Sequence, residues 1–349
     1  MSVGGATTAV RGNARFDEEA LARWMTDHIP GFSGPLHVAQ FSGGQSNPTF
    51  RLSTPDRSYV MRRKPAGPLL KGAHAIDREA RVMQALEGAG FPAPHVHGLC
   101  LDDDVIGTAF YVMDLIDGRI FWDSAFPEAP REARAAHMDA MNAVLARLHN
   151  LDPNAIGLGD YGRPGRYLAR QIDRWSRQYQ DDALAGRTAD MDFLVEWLPA
   201  HAPDDEETRI VHGDFRVDNI IFHPSRPEVA AVLDWELSTL GHPLVDFTYN
   251  VMMYRAPADI PWGLAGYDLE ALGLPSEADY VAAYCRRTGR NAIPDLDAYI
   301  VFNLFRLAAI IHGIKGRMLR GNASSADAGA MIPQMDVLAA TARRIAERL

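Results

Sequence analysis

Cysteine is nearly absent: only Cys100 and Cys285 occur among 349 residues. They lie far apart and without metal-ligand spacing, which argues against a cysteine metal site and points to buried thiols in a reducing compartment, taken as the cytoplasm. Positive charge is in deficit. Thirty-five Lys and Arg against 45 Asp and Glu leave a net charge of -10, which excludes the broad basic face that nucleic-acid binding needs. A local basic pocket for phosphate remains open. Long hydrophobic runs are missing too. The most apolar stretch, Tyr299 to Ile314, is interrupted by Asn303, Arg306 and His312, too short and too polar to span a bilayer. The first dozen residues lack an apolar core, so no signal peptide is expected. There is no internal repeat, no Gly-x-Ser-x-Gly elbow and no Gly-Lys-Ser/Thr phosphate loop.

What is present is an ordinary globular composition, 47% hydrophobic and 23% charged, enough to bury a sizeable core. The length favours one large or two medium domains. The first third reads as strands around one long helix. Leu36–Phe41, Thr49–Ser53, Ser58–Arg62, Val96–Cys100 and Ala109–Met113 are strand-like. Helices are expected at Asp17–His28 and Ala75–Gly90, the latter stopped by Gly90 with Pro92 beyond. Residues 1–14 read as a frayed terminus, and Asp102–Asp104 as an acidic turn. The remainder is mostly helical, with segments at Arg131–Asn150, Tyr167–Gln180, Met191–Leu198, Glu277–Thr288, Asp297–Lys315 and Ile332–Glu347.

Three stretches bear chemistry. Between the first two strands, Ser42-Gly43-Gly44-Gln45-Ser46-Asn47-Pro48 is either a plain hairpin turn or a loop whose N–H groups wrap a phosphate. A basic run, Arg62-Arg63-Lys64, follows the third strand. Strand alternation puts Arg62 on the face of Val60 and Arg63 on that of Met61, which favours Arg62 as the inward cation, with Arg63 and Lys64 as rivals and Glu79 as a candidate partner. The third stretch is His212-Gly213-Asp214-Phe215-Arg216-Val217-Asp218-Asn219, set between the apolar strands Ile210–Val211 and Ile220–Phe222. A further strand, Val229–Leu233, ends in Asp234. Two carboxylates and one amide at strand ends suit holding Mg²⁺ and positioning a hydroxyl nucleophile.

The order of these parts resembles the aminoglycoside phosphotransferase and choline kinase-like family of the protein-kinase-like fold. The wording of Phe41–Asn47, His74–Glu79, His212–Asn219 and Leu233–Gly241 is most similar to the subgroup associated with acyl-CoA dehydrogenases. The resemblance implies an α+β bilobal fold. Residues 1–117 would form a small N-terminal antiparallel β lobe with one helix, binding nucleotide. Residues 118–349 would form a larger, mostly helical C-terminal lobe for catalysis and substrate. It implies an ATP-dependent kinase for a small-molecule hydroxyl. Asp214 would accept the hydroxyl proton, with Arg216 on the moving phosphate. Asn219 and Asp234 would hold Mg²⁺. Gly43, Gly44, Ser46 and Asn47 would cover the nucleotide, Arg62 and Glu79 would pair beside its phosphates, and backbone around Asp114 to Ile116 would hold the adenine edge. Asp246 would brace the catalytic loop. The acceptor is open between a hydroxyacyl-CoA, an aminoglycoside or amino-alcohol, and none at all if the chain is a nucleotide-binding scaffold. A functional link to an acyl-CoA dehydrogenase is expected. The C-terminal helices suit a homodimer interface or a substrate pocket equally well. His312, Lys315, Arg317 and Arg320 form a basic group that could meet a CoA thioester or simply favour a helix C-terminus.

Overall fold

The computed structural model describes residues 7–41, 47–65, 75–203, 206–321 and 328–349. Along the chain come β1 (Thr7–Thr8), α1 (Glu18–His28), β2 (His37–Phe41), β3 (Thr49–Ser53), β4 (Ser58–Arg63), α2 (Ile76–Gly88), β5 (Val96–Cys100), α3 (Asp103–Ile106) and β6 (Phe110–Asp114). Then follow α4 (Arg131–Asn150), α5 (Tyr167–Asp181), α6 (Ala189–His201), β7 (Arg209–Val211), β8 (Ile220–Phe222), β9 (Val229–Val232) and β10 (Thr239–Gly241). The last elements are α7 (Pro243–Val251), α8 (Leu269–Leu272), α9 (Glu277–Thr288), α10 (Leu296–Leu319) and α11 (Ala328–Ala346). The fold is α+β, and the chain divides into two compact units.

The first unit takes the described residues up to Ile120, together with Ile156–Leu158 and Asn219–Ser238. Its antiparallel sheet runs β1-β2-β3-β4-β6-β5. The terminus read as frayed supplies an edge strand, Thr7 pairing with Phe41, and the acidic turn is a short helix capped by the Asp102 side chain. Alternation along β3 and β4 sends Phe50, Leu52, Tyr59 and Met61 into the core, where Leu21, Trp24 and Met25 of α1 meet them. The Asp17 side chain starts α1 by accepting from Ala20 N at 2.9 Å, one of the donors that a helix start leaves unpaired.

Asn219–Ser238 joins this unit although it comes more than a hundred residues later. The β8–β9 hairpin is tied down by reciprocal 2.8 Å bonds between Arg119 and Phe222 and by Val232 N donating to Pro92 O at 2.8 Å. The Trp235 ring packs edge-on against Phe91. At Gly118 a Cβ would lie 2.2 Å from Phe222 O, so only glycine permits that approach.

The second unit comprises Phe121–Ala155, Gly159–Asp218 and Thr239–Leu349. It is helical apart from the ribbon of β7 with β10. Its central element is α10, which packs against α11, α7, α5 and α6. The sequence reading put this segment at Asp297–Lys315; the helix runs 24 residues and is long and apolar enough to cross a membrane. Yet 83% of its most apolar window is buried within the protein, as in a core helix. The polar side chains that interrupt it have partners. Asn303 donates to Val245 O at 2.9 Å and Thr248 Oγ1 at 3.0 Å, Arg306 donates to Gly213 O at 2.6 Å, and His312 Nε2 lies 2.7 Å from Gly186 O. The basic group imagined around His312 is therefore divided: His312 is buried, and Arg320 forks onto Asp182 at 2.7 and 2.8 Å.

Candidate active site

Two side-chain clusters, one in each unit, gather most of the expected residues. The first is centred on Arg62. Alternation along β4 turns it away from Met61 and Arg63, and its side chain is only 12% exposed. Its Nη2 lies 2.9 Å from Asp234 Oδ1 and 3.0 Å from Glu236 Oε2, and its Nε lies 3.3 Å from Glu79 Oε2. Glu79, buried on α2, accepts from Asn47 Nδ2 at 2.9 Å and from the Tyr111 hydroxyl at 3.1 Å. Burial pushes the Glu79 carboxyl up to about 7, against the pull of Arg62 and the Tyr111 hydrogen bond. Burial also opposes the charge on Arg62, but Tyr111 and the Asp234, Glu79 and Glu236 carboxylates more than offset it, so the guanidinium stays charged.

Arg63 has a different environment. It is 3% exposed, and its guanidinium lies over the rings of Phe16 and Phe50 at 5.4 and 5.6 Å. That is a packing role.

Asn219 and Asp234 are brought together by the β8–β9 register. Ile220 pairs with Val232, and Leu233 N donates to Asn219 O at 2.8 Å, so the amide and the carboxylate flank the same end of the hairpin. Asp234 has a left-handed backbone, φ 63° and ψ 62°, which costs a non-glycine residue roughly 1–2 kcal/mol and marks functional sites more often than structural ones. Its Oδ1 is buried and, the ion pair aside, accepts no hydrogen bond among the described residues. A carboxylate and an amide are hard oxygen donors that suit Mg²⁺. No cluster of three or more His, Cys, Asp or Glu poised for a metal occurs among the described residues. A metal held here would therefore complete its shell with substrate phosphates and water.

Asp114 ends β6. Its N–H is given to His95 O at 2.9 Å, and its carboxylate receives Arg57 at 2.7 Å and faces His97 at 2.8 Å. Ile116 follows in a segment outside any strand or helix. Gly43, Gly44 and Ser46 lie outside the described residues.

The second cluster is the loop after β7. Asp246, 2% exposed on α7, accepts from His212 N at 2.7 Å and Gly213 N at 2.8 Å, with His149 Nε2 at 3.2 Å. Burial works against its charge, but His149, His212 and the loop N–H groups hold the carboxyl below the usual range. Gly213 sits at φ 86°, which a side chain would strain. Asp214 N donates to His212 Nδ1 at 3.2 Å, so the buried His212 is a loop brace. The Asp214 carboxylate accepts from the Tyr249 hydroxyl at 2.7 Å. Arg216, expected on a moving phosphate, turns both arms of its fork onto Asp218, with Nε at 2.8 Å from Oδ1. A pocket beside them is lined by Trp122, Phe215, Tyr249, Met252, Met253, Trp262 and Leu307. Its charged lining residues are Arg216 and Asp218, which neutralise each other.

Tyr249, Arg306, Asp218, His149, Tyr111 and Glu236 had no role in the sequence reading. Only Glu236 carried a signal, as a second carboxylate two residues after Asp234.

A model of the phosphotransferase enzyme family matches residues 37–292, nearly three quarters of the chain. The chain belongs to that family. Among relatives of this phosphotransferase, mouse acyl-CoA dehydrogenase family member 10 is 43% identical over 325 residues, covering 92% of this chain and 30% of that protein. Chicken acyl-CoA dehydrogenase family member 11 is 42% identical over 358 residues, covering the whole chain and 46% of that protein. The chain thus spans less than half the length of these curated relatives. Among solved structures, a Ralstonia eutropha protein carrying a provisional aminoglycoside phosphotransferase name is 48% identical, with a TM-score of 0.87, covering 96% of this chain and 99% of that one. Choline kinase from Cryptosporidium parvum shares 13% identity at a TM-score of 0.61, a likeness of fold.

Proposed function

We propose that the chain is an ATP- and Mg²⁺-dependent kinase that phosphorylates a hydroxyl on a small molecule with an apolar body, a hydroxyacyl-CoA being the best fit. The observation that carries the reading is the Arg62–Glu79–Asp234 cluster. A buried, permanently charged fork ion-paired to a carboxylate that shares its hairpin end with the Asn219 amide suits a polyphosphate and its metal.

In this reading Arg62 holds nucleotide phosphate and Glu79 fixes Arg62. Asn219 and Asp234 would hold Mg²⁺, which would supply positive charge to offset that of the phosphates. Asp214 orients the acceptor hydroxyl and takes its proton as the hydroxyl oxygen bonds to the γ-phosphorus. The bond between that phosphorus and the β–γ bridging oxygen breaks, and ADP leaves. Arg216 can meet a phosphate only by exchanging the oxygens of Asp218 for phosphate oxygens. Nucleotide structures of fold neighbours support the choice of nucleotide: the aminoglycoside phosphotransferase APH(4)-Ia was crystallised with ADP and with AMP-PNP.

The acceptor is argued from the pocket beside Asp214. That pocket, about 40 Å³, is too small to hold an acceptor as it stands; its lining is mainly aromatic and methionine side chains with Ser124 and Asn250, and its one acid is tied to Arg216, which disfavours a polycationic aminosugar that needs unpaired acids. The acyl-CoA dehydrogenase names of the relatives favour a hydroxyacyl-CoA and a partnership with such a dehydrogenase. Purified protein should consume ATP with Mg²⁺ only when a hydroxyacyl-CoA is added, and transfer ³²P from γ-labelled ATP to it. Turnover of aminoglycosides alone would replace the acceptor assignment. Nucleotide binding without turnover on either class would replace the kinase assignment with a scaffold.

A further inference from the structure

One helix reaches the catalytic loop at two points. On α7, Asp246 takes the backbone N–H groups of His212 and Gly213. Tyr249 comes three residues later, on the same helix face. It is buried, and its hydroxyl donates to Asp214 Oδ1 at 2.7 Å. The ring of Tyr249 is covered by the Arg306 guanidinium at 5.2 Å, and the same guanidinium donates to Gly213 O, the residue before Asp214. Asp214 is thus held through its backbone neighbours by Asp246 and Arg306, and through its carboxylate by Tyr249.

We propose that Tyr249 is the positioning residue for the proton acceptor, its hydroxyl fixing the rotation of the Asp214 carboxylate so that a defined edge meets the substrate hydroxyl. The inference rests on the kinase reading above. Geometry carries it. A carboxylate on a loop has a broad terminal torsion, and a charge-assisted hydrogen bond from a rigid buried phenol removes that freedom. The phenol is a permanent donor: burial, and then the negative charge of Asp214, push its ionisation far above the ordinary tyrosine value despite the opposing charges of Arg216 and Arg306. Asp214, Arg216 and Arg306 are the charged groups that act most strongly on it among the described residues. Positioning of this kind affects the chemical step and leaves binding nearly untouched.

The test is Tyr249→Phe, which keeps the ring under Arg306 and deletes only the hydroxyl. With ATP, Mg²⁺ and a hydroxyacyl-CoA, kcat should fall about tenfold, the scale of one hydrogen bond to a charged group. KM for both substrates should stay within about twofold. A fluorinated tyrosine at position 249, which packs like tyrosine and keeps the donor, should retain wild-type kcat where the Phe variant loses it, and its loss of kcat would overturn the assignment; this arm remains decisive if the Phe variant folds poorly. Wild-type kcat in the Phe variant, or a loss confined to KM, would overturn the assignment. A wild-type protein without turnover would sink the kinase reading and this inference with it. An active wild type, a dead Asp214→Asn and an unaffected Tyr249→Phe would sink the positioning role alone.

Discussion

Arg62 Nη2 lies 2.9 Å from Asp234 Oδ1, although 172 residues separate the two in the chain. A cation on β4 and a carboxylate after β9 are therefore already neutralising each other, and Glu79 and Glu236 share the same guanidinium. Without that fork, three carboxylates would be left beside one another with no cation between them.

Arg62→Ala should therefore weaken Mg·ADP binding by at least about tenfold, and Arg62→Lys should recover only part of the loss, since a point charge cannot bridge oxygens as a planar fork does. Arg63→Leu provides the contrast. Its guanidinium lies over Phe16 and Phe50, so KM for ATP should stay within about twofold while the melting temperature changes. Isothermal titration with ADP, with and without Mg²⁺, separates the two arginines; an equal loss at both positions would return Arg63 as a rival.

Asp214→Asn preserves shape and removes the proton acceptor. Turnover of a competent acceptor should fall by at least ~100-fold, with ADP affinity and melting temperature close to wild type. Retained turnover at saturating substrate would show that the assigned base is wrong.

Asp246→Asn acts on the loop's support. The carboxylate accepts two backbone N–H groups and faces His149 while almost wholly buried. An amide can satisfy one donor but sets its own NH₂ against another, at a cost of roughly 2–4 kcal/mol. Both the melting temperature and kcat should drop. A drop in kcat alone, with unchanged stability, would mean the brace is chemical rather than structural.

His242 gives the second unit an acid-sensitive point. It is 4% exposed, stacked on Tyr299 at 5.6 Å, and its Nδ1 has no hydrogen-bond partner among the described residues. Burial, reinforced by Arg290 and His149 and only partly countered by Glu207, lowers its pKa to about 4 from the ordinary 6.5. Between those values the unfolded chain binds a proton that the folded chain refuses. Stability is therefore full above about pH 6.5 and is lost as pH falls toward 4, by roughly 2–4 kcal/mol in all. His242→Asn should narrow the gap between melting temperatures at pH 7 and pH 5. An unchanged gap would place the acid sensitivity elsewhere.

Much of this was legible before any coordinates. The period of Met138, Met141, Val144, Leu145 and Leu148 marked α4 at Arg131–Asn150, as observed, because an amphipathic helix writes its buried face into the sequence. Alternation puts Arg62 and Arg63 on opposite strand faces and favours Arg62, but leaves Arg63 and Lys64 as rivals; the different surroundings of the two arginines come from the structure. Where both faces are buried, the signal vanishes. Every residue of α7 is buried, so no period betrayed it. β10 has three residues, and its partner β7 lies about thirty positions upstream, beyond any local pattern. Tyr249 was invisible for the same reason: it rides on the unrecognised helix, 35 positions from the carboxylate it touches. The His-Gly-Asp segment stood out because the left-handed turn at Gly213 and metal-binding oxygens demand particular residue types. Helper residues that hold them through hydrogen bonds have no such fixed vocabulary.

The hairpin that joins the first unit late in the chain also constrains how this protein could be inherited or recombined. Residues 7–120 bring the sheet and Arg62, but Trp235, Asn219 and Asp234 arrive only with Asn219–Ser238. An N-terminal third exchanged with a relative at residue 120 would inherit a foreign cover for Phe91 and Pro92 and a foreign pair of oxygen donors. Chimaeras that swap the two stretches together should therefore fold where those that swap either alone should not.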